Sequence, residues 1–505
     1  MQHLEKISDA LWSPWLLGLL LFCGLCLSWK TGFFQIFDVK IWLGSAVESM
    51  RGADKGRGGL SQLQALATAL ASTIGTGSIA GVSTAIVFGG PGAVFWMWVC
   101  AALGMMTGFV EKTLAVKYRR AAAGGFEGGA MEYMEQGLGL VLLPTLFAVF
   151  CLGNAFVGGN MVQANSIATT FHAAFGTPQW LVGLAVTGLC AAVMLGGLGR
   201  IGRVSGLLVP LMVALYIGGG VVVLWVQRAN VLPALGLIMR EAFAPTAAAG
   251  GVLGYGMGAA MRYGVARGVF TNEAGLGTSA MVHAAAPARH PVQQGFLGMF
   301  EVLFATLVVC TVTALVILTS GVYDMEAVLA ARAARELPPE LLGAPLTTAA
   351  FGTVFGSWAG GFVSVSLLLF AFTSLLGWSY YGERALAYLQ KRKKHKENRS
   401  VTGFRLVFLL CIFLGSVGDL TAIWLVSDLL NGLMALPNLL VLLSLSDEAV
   451  GCLREWLALN VPIRRRDLTV RKKRRHACSL SRLFGSCGSH GRVDGRGREK
   501  NCRRN

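Results

Sequence analysis

Two glycines and two hydroxyl residues interrupt an otherwise apolar stretch near the N-terminus. Residues 67–98 read ATALASTIGTGSIAGVSTAIVFGGPGAVFWMW, with IGTGS at residues 74–78. Backbone can leave a helix at membrane depth only where it is buried in protein or lines a cavity. A helix broken here would expose amide N–H groups on one side and carbonyl groups on the other, which suits a carboxylate and an accompanying cation. The alternative is a glycine-rich face that packs against another helix.

A carboxylate is the group that such a break fits. If the helix ends and restarts here, the amides of Thr76, Gly77 and Ser78 lie at the start of the second half-helix. The helix dipole favours negative charge at that position. We therefore predict that these three amides bind a substrate carboxylate.

Two adjacent hydroxyl residues, Thr373 and Ser374, lie deep in a later apolar segment. A hard cation such as Na⁺ prefers oxygen ligands, and hydroxyls facing a broken helix would add to its freed carbonyls. The alternative is that both hydroxyls bond back to their own helix. Trp378 follows Ser374 by four residues on the same helix face, so it is predicted to cover a methyl-sized substrate group. The alternative for Trp378 is a position in the interfacial aromatic belt.

Further polar side chains fall within apolar segments. Asn160 and Gln163 lie three residues apart and are costly to bury without partners, so they are predicted either to contact substrate or to form an interhelical hydrogen bond. Glu301 and Asp428 are carboxylates inside predicted spans, which makes them candidate functional groups. Glu111, at the end of a span, is predicted to be an interfacial anchor.

Membrane-spanning helices must position these residues. The chain has 505 residues, of which 54% are hydrophobic and 14% charged, and a mean hydropathy of +0.60. Its apolar blocks are roughly 20 residues long, which is the length that spans a bilayer as a helix. We therefore predict an all-α polytopic membrane protein. All seven histidines are predicted to lie in loops, helix ends or the tail, unlike the clustered groups of an embedded enzyme.

Eleven spans can be placed along the chain. They are residues 13–29, 63–88, 91–116, 138–164, 180–198, 205–226, 246–268, 293–319, 350–378, 404–418 and 420–445. Without the first helix, ten remain, in halves of five over residues 63–227 and 232–446. The first member of each half, 63–88 or 246–268, is rich in glycine. An odd number of spans inverts the second half, and paired broken helices in inverted halves indicate a secondary transporter with a midplane site.

Charge predicts the orientation of the transmembrane domain, residues 1–446. The loops predicted on one side hold 22 Lys and Arg, and those on the other side, with the N-terminus, hold 5. The first set comprises residues 30–62, 111–137, 199–204, 262–292 and 379–405. The positive-inside rule then puts the N-terminus outside and the C-terminus in the cytoplasm.

The composition changes after the last span. Residues 447–505 carry a net charge of +10 and are rich in Arg, Gly, Cys and Ser. A tail of this kind can touch nucleic acid or anionic lipid. We favour a disordered cytoplasmic tail and expect no nucleic-acid partner.

Several motifs carry a family resemblance. GTGSIAGV at residues 75–82 and GGPGAVFWMW at 89–98 resemble the signature of the sodium:alanine (alanine or glycine:cation) symporter family. Further matching motifs lie at residues 159–165, 199–204, 270–277, 371–378, 380–383 and 431–438. The family usually has Asn in place of Ser78 and Asp in place of Ala305; Glu301, one turn earlier, is a candidate substitute for that Asp.

The resemblance implies a fold like that of the leucine-transporter superfamily. It also implies import of a small neutral amino acid, with alanine and glycine as the first candidates and serine as a third. Sodium would be the co-transported ion, and no cofactor is implied. Carried over by motif, the sodium ligands are the carbonyls of Ala71 and Ile74 with Thr373 and Ser374. Gln163 and Ser374 would also contact the substrate. The implied location is the plasma membrane, the inner membrane in bacteria, among membrane lipid.

Other functions stay open at this point. Coupling to protons instead of sodium, an amino-acid-gated channel and a receptor on the same fold are all compatible with the motifs. A channel would need a continuous pore lined by charges or carbonyls, and the sequence does not exclude one. Accumulation of amino acid above its outside concentration would separate a transporter from a channel or an enzyme.

Overall fold

The computed structural model describes residues 2–52, 60–122, 125–244, 256–334, 336–391, 397–418 and 421–461. The chain divides into two compact units, residues 1–453 and 454–505. In the second unit the described residues, 454–461, contain the end of one helix.

Helices account for almost all of the described chain. The first part contains α1 (Gln2–Leu11), α2 (Pro14–Lys30), α3 (Phe34–Phe37), α4 (Val39–Arg51), α5 (Gln62–Thr73), a 3₁₀ turn (Thr76–Ser78), α6 (Ala80–Gly89) and α7 (Gly92–Lys117). An antiparallel hairpin, β1 (Arg120–Ala122) and β2 (Gly125–Glu127), follows. The middle part contains α8 (Ala130–Leu138), α9 (Leu142–Phe156), a π-helical turn (Val157–Met161), α10 (Val162–Phe175), α11 (Gln179–Met194), α12 (Gly197–Val226) and α13 (Arg228–Ala242).

The remaining part is helical as well. It contains α14 (Met257–Asn272), α15 (Ala280–Ala285), α16 (Pro291–Val302), a π-helical stretch (Leu303–Cys310), α17 (Thr311–Thr319), α18 (Met325–Ala334), a 3₁₀ turn (Pro339–Leu341), α19 (Ala344–Phe355), α20 (Trp358–Lys391), α21 (Glu397–Val417), α22 (Thr421–Ser444) and α23 (Ser446–Asn460). Seven helical stretches of the described chain are long and apolar enough to cross a membrane, and four shorter apolar helices accompany them. The predicted all-α membrane class is therefore confirmed, while the count of eleven spans stays a prediction.

The first predicted broken helix is broken where the sequence indicates. Ser61 caps α5 through a reciprocal pair of hydrogen bonds with Gln64, and the helix ends at Thr73. The backbone then leaves helical geometry at Ile74, forms the 3₁₀ turn and restarts as α6. A β-carbon on Gly75 would lie 2.6 Å from Ser374 Oγ, so only glycine lets α20 approach the break this closely.

The second glycine-rich segment is unbroken over the part that the structure describes. Residues 257–268 of the glycine-rich segment 246–268 belong to the continuous helix α14, and residues 245–255 lie outside the described chain. A second break follows at residues 273–279, where Glu273, Gly275 and Gly277 have positive φ. Within α14, Gly264 serves packing, because a β-carbon there would lie 2.3 Å from the carbonyl oxygen of Ala93 on α7.

Other boundaries also differ from the prediction. Residues 262–292 are mostly α14, the break and α15 instead of a loop. Arg262 and Arg267 therefore lie on a helix and are not loop charges. The predicted span 350–378 is two helices, α19 and α20, separated at Gly356, which has φ 55°. The predicted tail begins inside α23, which continues to Asn460, and residues 462–505 lie outside the described chain. The disordered tail therefore stays a prediction for those residues alone.

Candidate functional site

The first break and α10 meet through Gln163. The amide N–H of Thr76 donates to Gln163 Oε1 at 3.2 Å, and Gln163 Nε2 donates to the carbonyl of Gly158 at 3.2 Å. Gly158 lies in the π-helical turn between α9 and α10, a geometry that is frequent at functional sites. The structure thus brings Gln163 to the break, where its side-chain oxygen accepts a hydrogen bond from one of the three amides predicted to bind carboxylate.

The break leaves polar groups without protein partners. The hydroxyl oxygens of Thr76 and Ser78 are buried and have no hydrogen-bond partner within the described chain. The Ser78 amide is used inside the turn, where it donates to the carbonyl of Gly75 at 3.2 Å. Buried polar atoms are nearly always paired, so two orphan hydroxyls within one short turn indicate that a polar ligand belongs here. The adjacent Gly77 packs against Phe270 and Thr271.

Ser374 is the hydroxyl that faces the break. Its Oγ donates to the carbonyls of Ala71 at 2.9 Å and of Ser72 at 3.2 Å. Both carbonyls belong to the last turn of α5, where helix carbonyls lack backbone partners. Ile74, which follows α5, is fully buried and no longer helical, with φ −86° and ψ 77°. The structure therefore brings Ser374, Ala71 and Ile74 into one region.

Thr373 makes the alternative contacts. Its Oγ1 donates to the carbonyls of Leu369 and Phe370 on its own helix, at 2.9 and 3.0 Å, and lies 3.5 Å from Met212 Sδ on α12. Neighbouring residues of a helix point about 100° apart, so Thr373 and Ser374 face different neighbours. In this conformation Thr373 contributes no contact to the break.

Trp378 is buried inside the protein, whereas Asn160 forms a hydrogen bond between helices. Trp378 is 5% exposed and packs on Gly159, where a β-carbon would lie 2.3 Å from the indole Cγ. This burial excludes a lipid-facing belt tryptophan. Asn160 Nδ2 instead donates to the carbonyl of Phe408 on α21 at 2.8 Å, which is the interhelical bond.

A small cavity lies against the break. It is lined by Ser72, Thr73, Gly75, Gly77, Asn154, Gly158, Phe270, Glu273, Leu276, Trp378, Ser427 and Asn431. Its space for the centres of water molecules is about 20 Å³, slightly more than the ~10–15 Å³ that one water needs. Three amide and hydroxyl groups from α9 and α22 close one wall: Asn154 Nδ2 donates to Asn431 Oδ1 at 2.8 Å, and Ser427 lies beside them.

Sequence reasoning assigned no role to several of these lining residues. Glu273 and Asn431 lie inside motifs that were recognised, and Phe270 begins the same motif as Glu273. That membership was the available signal for all three. Asn154 and Ser427 carried none, because a single amide or hydroxyl in an apolar helix more often serves packing.

Glu111 forms hydrogen bonds with the backbone of the second break. The prediction that it is an interfacial anchor is therefore wrong. Its side chain is fully buried, and Oε1 accepts hydrogen bonds from the amides of Gly275 and Gly277, both at 3.0 Å. Asn438 Nδ2 on α22 donates to the same oxygen at 2.7 Å and to the carbonyl of Gly275 at 2.9 Å. The amides of the second break are therefore already paired with a carboxylate of the protein.

Beside Glu111 lies a fully buried ionic cluster. Lys112 Nζ lies 3.1 Å from Glu111 Oε2 and 3.7 Å from Glu301 Oε2. His283 Nε2 lies 3.2 Å from the same Glu301 oxygen, and His283 Nδ1 lies 2.7 Å from Gln294 Oε1. His283 lies in the last turn of α15, a helix end as predicted, but there it is fully buried. Glu301 belongs to this cluster and is not among the residues that line the cavity.

Asp428 is paired across the helices that flank the cavity. Its Oδ2 accepts a hydrogen bond from Arg267 Nη2 of α14 at 2.7 Å. The Arg267 guanidinium also lies over the rings of Phe270 and Trp424, at 5.5 and 5.6 Å from their centroids. Since Phe270 lines the cavity, this ion pair fixes one of its walls.

Comparison with known proteins agrees with the motifs. The family model described as the sodium:alanine symporter family matches residues 1–463. The sodium/alanine symporter AgcS of Methanococcus maripaludis is 40% identical over 452 residues, covering 88% of this chain and 95% of that protein. An uncharacterised transporter of Haemophilus influenzae is 41% identical over 445 residues, covering 88% of this chain and 93% of that protein.

The fold is also found among solved structures. The crystal structure of MhsT in complex with L-phenylalanine aligns with a TM-score of 0.51 at 12% identity, covering 77% of this chain and 97% of that one. At this identity the likeness concerns the fold alone, and it confirms the leucine-transporter-like prediction. The chain therefore belongs to the sodium:alanine symporter family, whose members are sodium-coupled amino-acid transporters of the membrane and not enzymes.

Proposed function

We propose that this protein imports alanine or glycine, with serine as a third candidate, together with sodium by alternating access. The observation that carries the proposal is the first break, where buried hydroxyls without partners lie in the turn, Gln163 and Ser374 bond to its backbone, and Gly75 and Gly77 line a cavity. Half-helix ends at membrane depth are the sites at which transporters bind anionic groups and coupling ions. The plasma membrane is the proposed location, the inner membrane in bacteria, with the N-terminus outside.

The proposed sodium ligands are the carbonyls of Ala71 and Ile74 and the hydroxyls of Ser374 and Thr373. Ser374 already lies 2.9 Å from the Ala71 carbonyl, so its oxygen would exchange a hydrogen bond for an ion contact with little movement. Thr373 would have to give up its two bonds to α20 carbonyls. The contacts therefore support Ser374 more directly than Thr373.

The proposed substrate ligands lie on the other side of the break. The amides of Thr76, Gly77 and Ser78 would receive the substrate carboxylate, with Gln163 giving up its bond to the Thr76 amide or orienting the group. Ser374 lies within reach of both ligands, because a β-carbon on Gly75 would touch Ser374 and Gln163 alike. The indole of Trp378 would cover the methyl group, and the small volume of the cavity favours a small side chain.

Proton coupling is the second candidate function. The cluster of Glu111, Lys112, Glu301 and His283 contains four fully buried ionisable groups, and buried ionisable groups of membrane proteins often form proton pathways. This cluster is separate from the residues that line the cavity. We favour sodium, because the family to which the chain belongs is sodium-coupled.

Uptake into proteoliposomes tests the proposal. Purified protein should accumulate labelled alanine above its outside concentration when an inward sodium gradient is imposed at equal pH on both sides. A potassium gradient should give equilibration at most. Accumulation driven by a proton gradient without sodium would favour the second candidate, and movement only down the alanine gradient would indicate a channel. Competition by glycine, serine and larger amino acids then ranks the substrates.

A further inference from the structure

Glu273 is the one ionisable residue among those that line the cavity. It follows α14 at the second break, with φ 52°, and is 3% exposed. The cavity therefore has the first break, with its amides, on one side and an acidic residue of the second break on another.

The carboxylate of Glu273 lacks a cation. Thr278 Oγ1 donates to its Oε2 at 2.5 Å, and within the described chain no Lys, Arg or His lies within ion-pair distance of it. The other two buried carboxylates of this region differ, since Glu111 and Glu301 have Lys112 and His283 beside them. Burying a charge without an ion-pair partner is costly, and a cation that arrives with the ligands would remove that cost.

An amino acid brings such a cation. Its carboxylate and its ammonium group are separated by one carbon, so a site that binds the zwitterion needs positive and negative groups facing each other across a small space. The first break supplies amide N–H groups, and Glu273 supplies the negative charge. We propose that the Glu273 carboxylate binds the α-ammonium group of the substrate, with Thr278 holding it in position. This assignment rests on the proposed amino-acid transport.

The experiment compares alanine with L-lactate, which keeps the carboxylate and the methyl group but replaces the ammonium by a hydroxyl. Binding of each to purified full-length protein in saturating sodium is measured by calorimetry and by ligand-dependent thermal shift. Glu273→Gln should weaken alanine binding about 10- to 150-fold, the range for a hydrogen bond to a charged group. Lactate binding should stay within about threefold, so the preference for alanine collapses.

A matched control is Glu132→Gln. Glu132 is also a buried carboxylate, at 8% exposure on α8, but it does not line the cavity. It should leave the alanine-to-lactate ratio unchanged. Thr278→Val removes only the hydroxyl that positions Glu273, and it should weaken alanine a few-fold without weakening lactate; it decides the matter if Glu273→Gln fails to fold.

The remaining outcomes distinguish a failure of the proposed amino-acid transport from a failure of the ammonium assignment. A wild-type protein that binds no alanine in sodium refutes the proposed function before any variant is read. A folded Glu273→Gln protein that keeps the wild-type ratio overturns the ammonium assignment and leaves the transport proposal standing. A shift in sodium dependence at an unchanged ratio overturns it equally, because the cation at Glu273 is then sodium.

Discussion

Replacing Ser374 by alanine removes one hydroxyl from the proposed sodium site and nothing else. That hydroxyl contacts the carbonyls of Ala71 and Ser72 at 2.9 and 3.2 Å, so the variant loses one oxygen ligand and leaves two helix-end carbonyls without a donor. A hydrogen bond or contact that involves a charged group contributes about 1.5–3 kcal/mol. The sodium concentration for half-maximal alanine uptake should therefore rise about 10- to 150-fold.

Two further substitutions on α20 make the expectation specific. Thr373→Val removes a hydroxyl bonded to its own helix, and because sodium would have to displace those bonds, the shift should be smaller than for Ser374→Ala. Ser379→Ala is the matched control, since Ser379 is also fully buried on α20 but donates to the Leu376 carbonyl. It should leave the sodium dependence unchanged.

The assay is initial uptake of labelled alanine in proteoliposomes over a range of sodium concentrations, with the amount of folded protein measured for each variant. The half-maximal sodium concentration should rise most for Ser374→Ala, less for Thr373→Val and not at all for Ser379→Ala. A general loss of stability would lower the maximal rate without producing this order. If Ser374→Ala kept the wild-type sodium dependence, or if Ser379→Ala shifted it equally, the proposed ion site would be wrong.

Three other expectations follow from the contacts and the charge pattern. Glu111→Gln should lower the free energy of unfolding in detergent by about 3–5 kcal/mol, as when one partner of a buried ion pair is removed; an unchanged denaturation curve would contradict its role at the second break. Single cysteines placed within residues 166–178 should react with an impermeant reagent on whole cells and those within 391–399 should not, and the reverse pattern would overturn the orientation. Ending the chain after Val461 should leave uptake intact, because the last described helix ends at Asn460 and no family motif follows it; a truncated protein that reaches the membrane without transporting would refute this.

The first break could be predicted because its signal is local. Glycines and hydroxyl residues alternate inside an apolar span, and nothing in a continuous helix requires that pattern at residues 74–78. The break at residues 273–279 was not predicted, because glycine has two uses that composition does not separate. Gly264 permits close helix packing, whereas Gly275 and Gly277 provide positive φ. Which use applies depends on the neighbouring helix α7, and this information is not local.

The same limit applies to the charged residues. Glu111 and His283 resemble helix-end residues in the sequence, because polar residues follow Glu111 and a proline-containing turn follows His283. Their burial depends on partners far along the chain: Glu111 bonds to amides 164 and 166 residues away. Likewise, two adjacent hydroxyls cannot be told apart by type, and only the packing of α20 on α5 shows that Ser374 faces the break.

The two breaks resemble each other in composition but differ in what satisfies them. At the second, the amides of Gly275 and Gly277 are bound by Glu111, a carboxylate of the protein itself. At the first, no acidic side chain of the described chain accepts a hydrogen bond from the amides, whose recorded acceptors are the neutral Gln163 and a carbonyl within the turn, and two hydroxyls stay unpaired. A substrate carboxylate would therefore displace no bound carboxylate at the first break, whereas at the second it would have to compete with Glu111. The carboxylate end of the substrate is accordingly assigned to the first break, and Glu273, at the edge of the second, is left to meet the opposite charge.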